Sequence, residues 1–173
     1  VFHDGSPCTA ADVAASFAAM LNPATASAAR NNIGPIERVS AVDIEPRCVD
    51  EVRGRLPDVA VRRGDVTDLP FGDGEFDLVL CLEVLEHVTD PGRAVRELAR
   101  VSSRDVVVSV PYEPWFRLGS LLRAKYVRSL GNHPEHVNHF RPRTLRALLE
   151  ADLEVREVRV AFPWLLAAAR VRG

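Results

Sequence analysis

Three patterns are missing from this 173-residue chain, and each absence excludes a class of protein. The three cysteines, Cys8, Cys48 and Cys81, are widely separated, odd in number and without a C-x-x-C pair. Neither a disulfide framework nor a zinc knuckle is indicated, and a reducing, cytoplasmic setting is expected. An excess of one charge is missing as well: 22 basic and 24 acidic residues leave a formal net charge of −2. Nothing in that balance demands a polyanion, so nucleic acid is not an expected partner. Long apolar runs are also absent. The longest, Leu165 to Ala169 with Phe162 and Trp164 beside it, is too short to cross a bilayer, and no basic-then-apolar signal opens the chain. The length suits one domain with a substantial core better than two.

What is present alternates strands with helices. After a short apolar start and a turn, Thr9-Ala10-Ala11-Asp12 reads as a capping box opening the helix AADVAASFAAML, with Val13, Phe17 and Met20 on one face. Residues 22–35 read as a loop, long for a compact domain. Arg38 to Ile44 is expected as a strand ending in Asp43, and Pro46 opens a helix through CVDEVRGRL. Asp58 to Val61 is a short strand that Gly64-Asp65 ends. After the Gly72-Asp73-Gly74 turn, Phe76 to Leu82 is an apolar run broken only by Asp77, the pattern of a strand covered on both faces. A turn of helix follows around Glu86, then a helix capped by Asp90-Pro91, then the strand Arg104 to Val110 ended by Pro111.

The remainder predicts a helix near Trp115 to Leu130, a His-rich loop from Asn132 to Phe140 and a helix opened by Pro142. Two closing strands, LEVREVRVA and WLLAAARV, are close enough in sequence to form an antiparallel pair at a sheet edge. The whole predicts an α/β fold, a doubly wound, mainly parallel sheet with helices on both faces. In such sheets a ligand sits beyond the carboxyl ends of the strands. Asp43 is placed there to bind ribose hydroxyls. Asp65, followed by the Val66 amide, fits the edge of an adenine, accepting from the exocyclic amine while the amide donates to a ring nitrogen.

AVDIEP, GDVTDLPF, FDLVLCLEVLEHVTDP and HVNHFRPRTLRALLEA, in that order and spacing, make residues 39–173 resemble the class I S-adenosylmethionine-dependent methyltransferases from their second strand to their last. The resemblance implies a Rossmann-like sheet with a C-terminal antiparallel pair. It also implies S-adenosylmethionine as cofactor and in-line transfer of its methyl to a small or lipid-like acceptor in the cytoplasm. Carried over by position, Asp43 would bind the ribose, Ile44 would pack near the adenine, Asp65 and Val66 would hold the adenine edge, and Cys81 and Leu82 would flank the methionine part. His87 is a candidate base, and no catalytic residue is assigned.

One family feature is missing. The acid-x-Gly-x-Gly type loop that follows the family's central first strand does not occur before Asp43, and the lone G-x-G, Gly72 to Gly74, precedes a strand. Residues 1–38, with their FHDG turn, T-A-x-D-V helix and Leu-x-Pro loop, instead resemble a fragment of the extracellular solute-binding proteins of peptide-type ABC transporters. The expected division is therefore 1–38 and 39–173, a chimera in which the central strand is missing or replaced. Weak or absent cofactor binding is expected, with a solute-binding fragment or an inactive scaffold as the other functional classes.

Glu83, Glu86 and His87 form E-x-x-E-H, which resembles the metal-binding pattern of some small-RNA and ubiquinone-pathway O-methyltransferases, with His136 or His139 to complete a site. Metal-free relatives carry an E-H pair at this point that packs and caps the next turn, and no metal is assigned. His133, His136 and His139 lie in a loop with Pro134 and Asn138 and are not expected to converge on zinc. The basic stretch from Arg117 to Arg146 reads as a solvated face. Trp115, Phe116, Leu118, Leu121, Leu122 and Tyr126 read as the apolar side of a lid over the acceptor.

Overall fold

The computed structural model describes residues 38–57, 59–112 and 137–173. The expected helices at 9–21 and 115–130, the loop at 22–35 and His133 and His136 lie outside them. The chain divides into two compact units, Val1–Val66 and Thr67–Gly173.

In the first unit, strand β1 (Ser40–Asp43), helix α1 (Pro46–Arg55) and strand β2 (Ala60–Arg63) form one βαβ turn, and β1 and β2 pair in parallel. Pro46 begins α1, where its missing N–H has no partner to lose. Val49 and Val52 of α1 then bury against Val61, with Ala41, Leu56 and Val59 around them. Arg53 fastens the helix to the sheet by donating to the Val61 carbonyl at 3.1 Å. The strand expected at Asp58 to Val61 lies two residues later, because Val61 is the one side chain of β2 that α1 buries and Arg62 and Arg63 are exposed.

The second unit is a four-stranded sheet in the order β3 (Phe76–Leu82), β4 (Ser102–Pro111), β6 (Trp164–Val171), β5 (Leu153–Ala161). The β3–β4 pair is parallel, crossing through helix α2 (Pro91–Val101), and the β4–β6 and β6–β5 pairs are antiparallel. The predicted terminal hairpin is thus present with β5 outermost, and a register shift between Val155 and Glu157 accounts for the imperfect alternation of β5. Among the described residues no strand pairs with the other flank of β3.

One face of this sheet carries Cys81, Val106, Val108, Val110, Leu165, Ala167 and Ala169, all buried. Ala94, Val95, Leu98 and Val101 of α2 close over that core, as do Leu145 and Leu149 of helix α3 (Pro142–Leu149). Fully burying a Val or Leu side chain contributes about 1.5–3 kcal/mol, so this face supplies most of the unit's cohesion. The other face is not closed to the same degree: Leu78 is 42% exposed and Leu166 39%. Among the described residues of this unit, α2 lies on one side of Phe76 to Leu82 and no helix on the other.

Asp90 caps α2 by accepting from the Arg93 N–H at 2.9 Å, as its Asp-Pro signature predicts. Arg100 then ties the preceding turn to the helix. Its guanidinium donates to the carbonyls of Leu69 and Phe71 and to the carboxylates of Glu97 and Asp73, all at 2.7–3.0 Å. Gly74, at φ 62°, passes beneath and donates to the Arg100 carbonyl at 2.7 Å. A side chain there would be strained, which fixes this glycine as turn chemistry. The segment expected as a helical turn around Glu86 is a hydrogen-bonded turn, closed by His87 N–H to the Val84 carbonyl at 2.9 Å.

Candidate cofactor and acceptor site

Within the first unit, parallel pairing brings Asp43 and the Gly64–Val66 segment to the same strand ends. Asp43 closes β1 half-buried. Its Oδ1 accepts from the Glu45 N–H at 2.8 Å, and its carbonyl accepts from the Gly64 N–H at 3.1 Å. Ile44 follows with 56% of its surface exposed, an apolar side chain that finds no core. Asp65 is exposed and Val66 half-buried. A carboxylate with one oxygen held by its own turn, followed by an exposed apolar residue, fits a ribose and a base. The adenosine part of the expected cofactor is matched by residues that are present.

Within the second unit, Cys81, Leu82, Glu83, Glu86 and His87 gather at the carboxyl end of β3. Cys81 is buried on the helix-covered face, where burial, then Glu86 and Glu83, push its thiol up to about 12. It is a packed thiol and not a nucleophile. Leu82 is half-buried and pairs with Ser109.

At Glu83 the chain turns with φ 55°, an uncommon conformation for a side-chain-bearing residue. Neighbouring strands hold it there. Its N–H donates to the Ser109 carbonyl at 3.1 Å, its Oε1 accepts from the Ser109 hydroxyl at 2.7 Å, and its Oε2 accepts from Trp164 Nε1 at 2.7 Å. Burial pushes the Glu83 carboxyl up, while the bonds from Ser109 and Trp164 pull the other way.

Glu86 lies deeper, with 2% of its surface exposed, and its Oε2 has no hydrogen-bond partner among the described residues. Burial first and Glu83 second push its carboxyl up to about 8. His87 is exposed, its Nε2 3.8 Å from Glu86 Oε1. A second segment locks this turn from outside. The N–H groups of Val137 and Asn138 donate to the Glu86 carbonyl at 2.8 and 3.0 Å, and Asn138 Nδ2 donates to the carbonyls of Leu85 at 3.0 Å and Val88 at 2.6 Å.

The E-x-x-E-H pattern thus has a structural occupation. Both oxygens of Glu83 are engaged by Ser109 and Trp164, and among the described residues no three His, Cys, Asp or Glu side chains converge as metal ligands. Sequence reasoning passed over Ser109, Trp164 and Asn138. The available signals were a serine inside an apolar strand and an asparagine within HVNHF.

A parallel βαβ unit with acids at its strand ends, and a sheet that closes in an antiparallel C-terminal pair, are features of nucleotide-type cofactor proteins. The chain belongs to the methyltransferase domain family, whose family model matches residues 11–110, more than half of its length. A Mycobacterium tuberculosis protein named as a probable S-adenosylmethionine-dependent methyltransferase is 39% identical over 84 residues, covering 47% of this chain and 31% of that protein. The ubiquinone biosynthesis O-methyltransferase of Hahella chejuensis is 34% identical over 124 residues, covering 66% and 52%. The chain therefore spans about a third to a half of the length of these relatives.

Among solved structures, the magnesium protoporphyrin IX methyltransferase of Synechocystis with bound S-adenosylhomocysteine superposes with a TM-score of 0.60 at 17% identity, covering 78% of this chain and 64% of that one. An Aquifex aeolicus S-adenosylmethionine-dependent methyltransferase gives 0.59 at 19%, covering 78% and 69%. These likenesses establish the Rossmann-like α/β fold. The expected kinship of residues 1–38 with solute-binding proteins is not borne out. The methyltransferase match begins at residue 11, inside that segment.

Proposed function

We propose that this chain is the catalytic-domain portion of an S-adenosylmethionine-dependent methyltransferase acting on a small or lipid-like acceptor in the cytoplasm. No helix among the described residues is long and apolar enough to cross a membrane, which accords with such an acceptor being met from the aqueous side. The observation that carries the reading is Asp43, held by the Glu45 N–H at the end of a parallel strand with the exposed Ile44 beside it. In this assignment Asp43 takes the ribose hydroxyls, Ile44 the adenine face and Asp65 with Val66 the adenine edge. Cys81 and Leu82 are assigned to the methionine part, Cys81 through its backbone because its thiol is buried. The cofactor supplies the activated methyl, and the chain's own contribution is to hold and orient.

The absence of the acid-x-Gly-x-Gly loop before Asp43 bears on affinity. That loop lays its backbone along the methionyl part, and without it only Cys81 and Leu82 are left to support the adenosine contacts. Titration calorimetry with S-adenosylmethionine is expected to give a dissociation constant in the millimolar range, about −4 kcal/mol. Tight stoichiometric binding would contradict the incomplete site, and complete absence of binding would remove the reading itself.

A further inference from the structure

The register of the first unit sets Arg63 directly across from Asp43 at the carboxyl ends of β2 and β1. Paired residues on adjacent strands point to the same face, so the two side chains leave the sheet together. Arg63 does not take the nearby carboxylate. Its Nε donates to the carbonyl of Ile44 at 3.2 Å, in the peptide group that joins Ile44 to Glu45. That turn is already closed from within by the Glu45 N–H on Asp43 Oδ1 and from β2 by the Gly64 N–H on the Asp43 carbonyl. Arg63 supplies a third tie, made by a side chain of the opposite strand.

Among the described residues the Arg63 side chain makes no other hydrogen bond or ion pair. An exposed arginine engaged with one backbone carbonyl contributes little to folding. The same bond on a ligand-binding turn fixes where that turn's groups point. The planar guanidinium suits this task, because one anchored N–H sets the plane of the whole group. Without Arg63 the Ile44 peptide can rotate, and rotation moves both the Asp43 carboxylate and the exposed Ile44 side chain.

We propose that Arg63 is a positioning residue for an adenosine ligand: by holding the Ile44 carbonyl it orients Asp43 toward the ribose hydroxyls and Ile44 toward the base. This rests on the functional reading above. The test has a ligand-free arm and a ligand arm on the full chain, labelled with ¹⁵N. Without ligand, Arg63→Ala is expected to speed hydrogen exchange of the Glu45 amide about tenfold, the scale of one lost tie. Unchanged exchange would overturn the positioning role whatever the chain binds.

With ligand, adenosine and 2′,3′-dideoxyadenosine are titrated into wild type, Arg63→Lys and Arg63→Ala. Arg63→Ala is expected to weaken adenosine about tenfold and the dideoxy compound less than about twofold, since only adenosine presents the hydroxyls that Asp43 would receive. Arg63→Lys, which keeps a donor, should recover most of the loss. Equal losses for both ligands, or none, would show Arg63 to be ordinary surface. Failure of the wild type to bind adenosine would instead overturn the functional reading and the ligand assignment with it, leaving the exchange arm to decide the turn.

Discussion

The Glu86 carboxyl group has 2% of its surface exposed and, among the described residues, one oxygen without a partner. The groups around it are Glu83, whose oxygens are taken by Ser109 and Trp164, the buried Cys81 thiol and the exposed His87. Burial and Glu83 both favour its neutral form, so it titrates near 8 when folded against an ordinary value of 4.5. Between those two pH values the folded protein holds a proton that the unfolded chain has released. Stability must then fall as pH rises across that window and level off above it. Glu86→Gln carries no titrating proton there. Urea unfolding from pH 5 to pH 9 is expected to show a flatter curve for Glu86→Gln than for wild type, with the variant gaining most at pH 9. Parallel curves would mean that Glu86 ionises normally. None of this was legible in the sequence, because E-x-x-E-H gives residue types and spacing, while burial and the prior engagement of Glu83 depend on strands that arrive 26 and 81 residues later.

At the scale of elements, periodicity located what it could sense. The bounds of β3, β5 and β6 agree with the sequence expectation residue for residue, because β3 and β6 are largely apolar runs and β5 alternates apolar with charged residues, each between turn residues. The expected Arg38–Ile44 and Arg104–Val110 strands became Ser40–Asp43 and Ser102–Pro111, shifts that follow pairing and not composition. The bond set between Asn138 and the turn after β3 had no local signature at all. It joins residues about 50 positions apart, and four donors from two residues satisfy three carbonyls of that turn. Asn138→Asp exchanges two donors for acceptors facing carbonyl oxygens. The change is expected to cost about 2 kcal/mol in urea unfolding and to speed exchange of the His87 amide. Normal exchange at His87 would show that the turn stands without its clamp.

For the whole molecule the decisive fact is a missing motif. The fold class was legible from alternating strands and helices, and the place of Asp43 at the end of its strand from the acid that closes an apolar run. The character of residues 1–38 was not, because turn and helix signatures of unrelated families coincide over so short a segment, and the family match beginning at residue 11 replaced that reading. The sequence nevertheless contains no acid-x-Gly-x-Gly loop ahead of Asp43. Replacing residues 1–38 with the family's first strand and glycine turn is expected to tighten S-adenosylmethionine binding at least about tenfold, some 1.4 kcal/mol, by calorimetry. No gain would locate the deficit elsewhere.

The bridge between Tyr112 and Phe140 gives the molecule a different kind of property. Tyr112 directly follows β4 and Phe140 lies just ahead of α3, so the bridge ties the end of that strand to the start of that helix, beside the bonds that Val137 and Asn138 make to the turn after β3. For a flexible connection, doubling the length between such fixed ends costs only about 0.6 kcal/mol. The β4–β6 and β6–β5 pairings are made without any residue between Tyr112 and Phe140, so a change of length between those two positions is expected to leave the register of the sheet as it is.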